Sequence, residues 1–67
     1  MDFGKLLRAA RMKKGLTQQE LADRIGIALQ SYQRYEQGNR EPSLKTLSTL
    51  ADLLDVSADY LLGREKT

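Results

Sequence analysis

Cysteine, histidine and tryptophan are absent from this 67-residue chain, and proline occurs once, at position 42. Without cysteine there is no disulfide and no thiolate metal site. Without histidine the commonest metal ligand and proton shuttle is gone. No nucleophile–base pair and no glycine-rich phosphate loop can be read in what remains, so an enzyme is not expected, and neither is a metal, a cofactor or a small-molecule ligand. No run of eighteen or more apolar residues could span a bilayer, and the N-terminus has no signal-peptide core. A chain free of cysteine suits a reducing cytosol, and the expectation is a cytoplasmic protein. Aromatics make up only 6% of the residues, and none reads as an exposed platform for stacking RNA bases.

What the chain does have is enough apolar residue, at 40%, to build one small core. A domain of this size buries only about 60% of its unfolded surface, so its helices must pack well or associate. The net charge of +2 is unevenly spread. Residues 1–40 hold eight Lys or Arg against four Asp or Glu, whereas residues 41–67 hold three against five. A basic N-terminal half suggests one face for a polyanion, although many solvated surfaces are as uneven.

Glycines at 4, 15, 26, 38 and 63 punctuate segments with helical spacing. Phe3, Leu6, Leu7 and Ala10 predict an amphipathic helix over 2–14, with Gly4 weakening its first turn by about 1 kcal/mol. Thr17-Gln18-Gln19-Glu20 is a capping-box pattern that opens a second helix, with Leu21, Ala22 and Ile25 inward and Gly26 at its end. A third helix over 28–36 turns Tyr32 and Tyr35 inward. Ser43 caps a fourth, with Leu44, Leu47, Leu50, Ala51 and Leu54 on one face. Ser57 caps a last turn in which Val56, Tyr60 and Leu61 close the core. No segment alternates with period two. The expected fold is all-α, with five short helices forming one domain over 1–63 and a frayed tail over 64–67.

Two short helices joined through Gly26-Ile27-Ala28 have the spacing of a helix-turn-helix, although any αα-hairpin could share it. The open face of the third helix narrows the choice. Leu29, Gln33 and Gln37 fall at i, i+4 and i+8, with Gln30 and Arg34 beside them and no acid among them, because Glu36 turns the other way. Glutamine can pair with adenine N6 and N7, arginine with guanine O6 and N7, and leucine can meet a thymine methyl. The alternative, a polar helix that touches nothing, would more usually carry mixed Glu and Lys.

Three segments carry a resemblance. Gly15-Leu16-Thr17-Gln18-Gln19-Glu20-Leu21-Ala22 through Gly26, then Tyr35-Glu36-Gln37-Gly38-Asn39-Arg40-Glu41-Pro42-Ser43, then Leu50-Ala51 through Leu54-Asp55-Val56-Ser57-Ala58-Asp59-Tyr60-Leu61-Leu62 follow one spaced pattern. It resembles the lambda-repressor-like, Cro/cI or XRE type helix-turn-helix domains over roughly residues 3–63. The resemblance implies a compact five-helix domain that binds double-stranded DNA in the major groove and regulates transcription, with a bacterial or phage repressor as the first reading. Restriction-modification controllers and antitoxins share the pattern. It implies that Leu29, Gln30, Gln33 and Arg34 read bases. Gln18 would hold a phosphate at the amide end of the second helix. Gln37, Asn39, Arg40, Ser43 and Lys45 would contact the backbone on the far side. Arg11 and Glu36 would form an ion pair pinning the first helix to the third.

Two residues depart from that pattern. Ala28 stands where Ser or Thr usually caps the third helix, forfeiting about 1 kcal/mol. Leu29 replaces a commonly polar reader, leaving a thymine-methyl contact or plain exposure. Elsewhere Tyr32 and Tyr35 read as core, Asp52, Asp55 and Asp59 as a solvated acidic face and helix ends, and Arg8, Lys13 and Lys14 as a basic edge. A module this small reads few base pairs, so a two-fold homodimer on a palindromic site is expected, formed on DNA if not before. The segment around the fourth and fifth helices, Leu62 especially, would hold it.

Overall fold

The computed structural model describes residues 3–64, in which α1 (Phe3–Lys13), α2 (Gln18–Ile25), α3 (Leu29–Gln37), α4 (Leu44–Leu54) and α5 (Ala58–Leu61) follow in order with no strand among the described residues. The fold is all-α, as expected. Residue 2 of the expected first helix and residues 65–67 of the expected tail lie outside the described residues. Arg64 lies within them, and its amide donates to the carbonyl of Asp59 at 2.9 Å.

Local sequence explains where the helices start. The Thr17 hydroxyl accepts from the Glu20 amide at 3.0 Å while the Glu20 carboxylate accepts from the Thr17 amide at 2.8 Å, a complete capping box. Those hydrogen bonds, first that from the Thr17 backbone amide, hold the Glu20 carboxyl below the usual range. Ser43 and Ser57 accept from the amides of Thr46 and Tyr60. Ala28 offers α3 no side-chain cap. At the turn between α2 and α3, Gly26 adopts φ 78°, a left-handed conformation that costs glycine nothing sterically. Asp55 ends α4 at φ 59°, a conformation aspartate tolerates better than most residues with a side chain.

The core gathers Leu7 and Ala10 of α1, Leu21 and Ala22 of α2, Tyr32 and Tyr35 of α3, Leu47, Leu50, Ala51 and Leu54 of α4, and Leu61 of α5. Burying each leucine fully contributes about 1.5–3 kcal/mol. Tyr32 and Tyr35 meet edge to face with ring centres 6.4 Å apart, which fixes both rings inside.

Two apolar residues depart from expectation. Leu44 is 86% exposed, not part of the inward face of α4. It occupies the first helical position, and Cα–Cβ bonds lean toward a helix N-terminus, so its side chain reaches past the end of the packed body. Leu6 is only half-buried, because the buried stripe of α1 runs through Gly4, Leu7, Ala10 and Arg11.

Gly4 explains that rotation. A Cβ there would lie 2.8 Å from the Glu36 carbonyl carbon and 2.9 Å from the Tyr35 carbonyl oxygen, with the Glu36 oxygen closer still. The glycine lets α1 press directly on the C-terminal turn of α3. A residue that weakens one helix is what allows the two to meet.

Candidate nucleic-acid interface

The approach of α1 to α3 brings Arg11 beneath Glu36. Arg11 Nε donates to Glu36 Oε2 at 2.6 Å and Nη2 to Oε1 at 3.3 Å, and the two side chains are 11% and 5% exposed. Arg11 Nη1 also donates to the carbonyl of Leu16 at 2.8 Å, tying the loop before α2 into the same cluster. Glu36 accepts further from the Tyr32 hydroxyl, one turn back on α3, and from Gln18 Nε2 at 3.0 Å. Burial works against ionising this carboxyl. The hydrogen bonds from Arg11, Tyr32 and Gln18 outweigh it and hold Glu36 below the usual carboxylate range. Burial, then the bond to Glu36, pushes the Tyr32 phenol up, so it remains a neutral donor.

With Glu36 turned inward, no acid is left on the outward side of α3. Gln30, Arg34 and Gln37 are exposed, and Leu29, Ser31 and Gln33 are half-buried. Leu29 and Gln37 border an open groove of about 840 Å³ whose other wall includes Arg8, Met12 and the segment 15–19. Gln33 turns toward α2, its Nε2 donating to Gln18 Oε1 at 3.1 Å. Past α3, Asn39 and Arg40 are exposed, and Asn39 Nδ2 donates to Gln37 Oε1 at 3.2 Å. The Ser43 hydroxyl is occupied by the cap of α4 and by Thr46 Oγ1 at 3.1 Å, so what that corner presents is the free first-turn amides, with Lys45 exposed beside them.

The structure therefore gathers Gln18, Gln33, Glu36 and Arg11 into one hydrogen-bonded cluster and leaves Gln30, Arg34, Asn39, Arg40 and Lys45 outward. The expected basic edge divides. Arg8 borders the groove beside α2, whereas Lys13 and Lys14 border a second groove with Asp55, Val56 and Tyr60, where Lys14 lies 3.9 Å from Asp55. The pair is exposed and contributes little. Among the described residues no group of three or more Asp or Glu could hold a metal ion. The sequence reading missed the role of the Tyr32 hydroxyl, although its i, i+4 spacing to Glu36 was a usable signal. Nothing local could have revealed the Gln18–Gln33 bond, which joins residues fifteen apart.

Two short helices crossing at a glycine turn, the second with an open polar face, define a helix-turn-helix domain. The helix-turn-helix family model matches residues 7–61. The uncharacterized HTH-type transcriptional regulator YqaE of Bacillus subtilis (strain 168) is 49% identical over 63 residues, covering 94% of this chain and 54% of that protein. The chain thus spans about half the length of that relative. The DNA-binding domain of the P22 C2 repressor superimposes with a TM-score of 0.86 at 31% identity, covering 92% of this chain and 82% of that one. The restriction-modification controller protein C.AhdI from Aeromonas hydrophila superimposes with a TM-score of 0.80 at 37% identity, covering 88% and 89%. This chain belongs to the lambda-repressor-like, XRE type of the helix-turn-helix family.

Proposed function

We propose that this chain is a sequence-specific double-stranded-DNA-binding domain of a transcriptional repressor, which enters the major groove with α3 and binds a palindromic operator as a homodimer. One observation carries the reading. The outward side of α3 presents Gln30, Arg34 and Gln37 without an acid, while the acid of its last turn, Glu36, is withdrawn onto Arg11. A phosphate-lined groove repels an exposed carboxylate, and base edges reward the donors and acceptors of Gln and Arg.

Leu29, Gln30, Gln33 and Arg34 are the proposed base readers. Gln18, Gln37, Asn39, Arg40, Lys45 and the amides at Ser43–Leu44 are the proposed phosphate contacts. Gln18 keeps one Nε2 hydrogen for that purpose after serving Glu36. Leu29, half-buried on the wall of the groove that Met12 also lines, suits a thymine methyl. Support for a repressor comes from the P22 C2 repressor domain, whose fold this chain shares. For the dimer, Leu44 at the start of α4 and Leu62 just past α5 are the large apolar side chains left exposed there among the described residues, at 86% and 37%.

The test is enrichment of duplexes from a random pool, followed by sedimentation on the enriched site and on its half. The expected outcome is an inverted repeat with half-sites about one helical turn apart, binding two chains. A pool that stays random rejects specific DNA binding. One chain at saturation on an intact full site rejects the dimer.

A further inference from the structure

Leu29 is the one apolar side chain among the outward residues of α3, and it is half-buried where Gln30, Arg34 and Gln37 are exposed. It stands at the first helical position, and its Cα–Cβ bond leans toward the helix N-terminus, the end of α3 nearest the turn from α2. There it lines the open groove with two further apolar side chains, Leu16 and Met12, the latter 59% exposed. The remaining lining is mostly charged or polar, among it Arg8, Gln18 and Gln37. Leu29 has neither donor nor acceptor, and Ala28 at the cap position adds none. A surface proposed to meet polar base edges therefore carries an apolar corner at the entering end of its helix.

We infer that Leu29 makes this corner a site for the C5-methyl group of a pyrimidine, so that 5-methylcytosine is accepted in place of thymine while unmethylated cytosine is disfavoured. The inference rests on the DNA-binding reading above. In the major groove the base edges offer acceptors at N7, O6 and O4, donors at N6 and N4, and one apolar group, the thymine methyl. A leucine pressed on any of the polar groups strips water from it and returns no hydrogen bond. Pressed on the methyl, it buries apolar surface on both sides. Cytosine methylated at C5 carries the same methyl at the same place on the ring. It differs from thymine in the exocyclic group, an N4 donor in place of the O4 acceptor. A side chain without donor or acceptor does not register that difference, whereas a glutamine at position 29 would. The methylation state of one cytosine thus becomes a signal to which this corner responds.

Single-atom changes in the DNA test this. Binding is titrated at one salt concentration on the enriched duplex and on duplexes changed one base pair at a time. The pair that Leu29 reads is the one whose changes weaken the wild-type chain but not Leu29→Ala, and it should carry thymine. At that pair, in one half-site, thymine is replaced by uracil, by cytosine and by 5-methylcytosine. Loss of the methyl in uracil should weaken binding about fourfold, and 5-methylcytosine should bind about fourfold tighter than cytosine. Leu29→Ala and Leu29→Gln, shown to be folded by circular dichroism, should bind thymine and uracil alike and cytosine and 5-methylcytosine alike. Arg34→Ala should keep both differences. Equal binding of thymine and uracil by the wild-type chain overturns the inference, as does 5-methylcytosine no better than cytosine. A methyl dependence that survives in both Leu29 variants overturns the assignment to Leu29, as does a Leu29→Ala chain that responds to every base change as the wild type does. A wild-type chain that enriches no sequence overturns the DNA-binding reading and this inference together. Enrichment without methyl dependence overturns this inference alone.

Discussion

α3 and α4 follow one another in the chain and are of similar length, but different forces hold them in place. α4 is capped by Ser43 and buries Leu47, Leu50, Ala51 and Leu54. α3 has no side-chain cap and buries only Tyr32 and Tyr35. The rest of its anchorage is polar, the Glu36 cluster with Arg11, Tyr32 and Gln18. Burial is indifferent to fine orientation. Hydrogen bonds and a two-point ion pair are not. A helix whose outward groups are proposed to meet bases at defined places would gain from the second kind of attachment.

The comparison separates stability from recognition. Leu50 is fully buried in α4, so Leu50→Ala should cost about 2–5 kcal/mol in chemical denaturation. The fraction that remains folded should keep its base preferences. A changed preference would show that α4 helps to set the reading geometry.

Arg11→Met strikes the other attachment. Removing one partner of a mostly buried pair leaves an unmatched charge, at about 3 kcal/mol. The Arg11→Met, Glu36→Met double variant should be more stable than Arg11→Met alone. Additive losses in denaturation would mean that the two charges do not stabilise each other.

Acid probes the same cluster without mutation. Because the folded Glu36 carboxyl titrates below its ordinary value, the unfolded chain takes up the proton first. The stability it contributes is complete above the unfolded value, about pH 4.3, and is lost as pH falls from there through the lower folded value. Glu36→Gln should flatten that part of the stability profile, leaving the slope from Glu20. An unchanged profile would remove Glu36 from the account.

The smallest effect is a gain. Ala28→Ser supplies the cap that α3 lacks, and stability should rise by about 1 kcal/mol in thermal or chemical unfolding. No gain would mean that other contacts already hold the first turn of α3.

The same division governs how much could be read in advance. Thr17, Ser43 and Ser57 announce helix starts through residues three apart, and Tyr32, Tyr35, Leu47, Leu50 and Leu54 announce the core through spacing. Those rules are local, and the structure follows them. Gly4 was legible only as a helix weakener, because its purpose lies in the carbonyls of Tyr35 and Glu36 across the molecule. Leu44 satisfied the spacing rule but stood at a helix end, where there is nothing to pack against. Within the proposed site the residue types on α3 and the partners Arg11 and Glu36 could be named from their positions. That Gln18 stands between Glu36 and Gln33 required the crossing of α2 over α3.

The central claim is that α3 reads bases, and Arg34 tests it most directly. It is exposed, has no acidic neighbour on its face, and plays no part in the Glu36 cluster. Binding of Arg34→Ala should be titrated on the enriched duplex and on a scrambled one at a single salt concentration. The account predicts a loss of about 1–3 kcal/mol on the enriched duplex and a far smaller loss on the scrambled one. Equal losses on both would make Arg34 a phosphate contact and contradict the account.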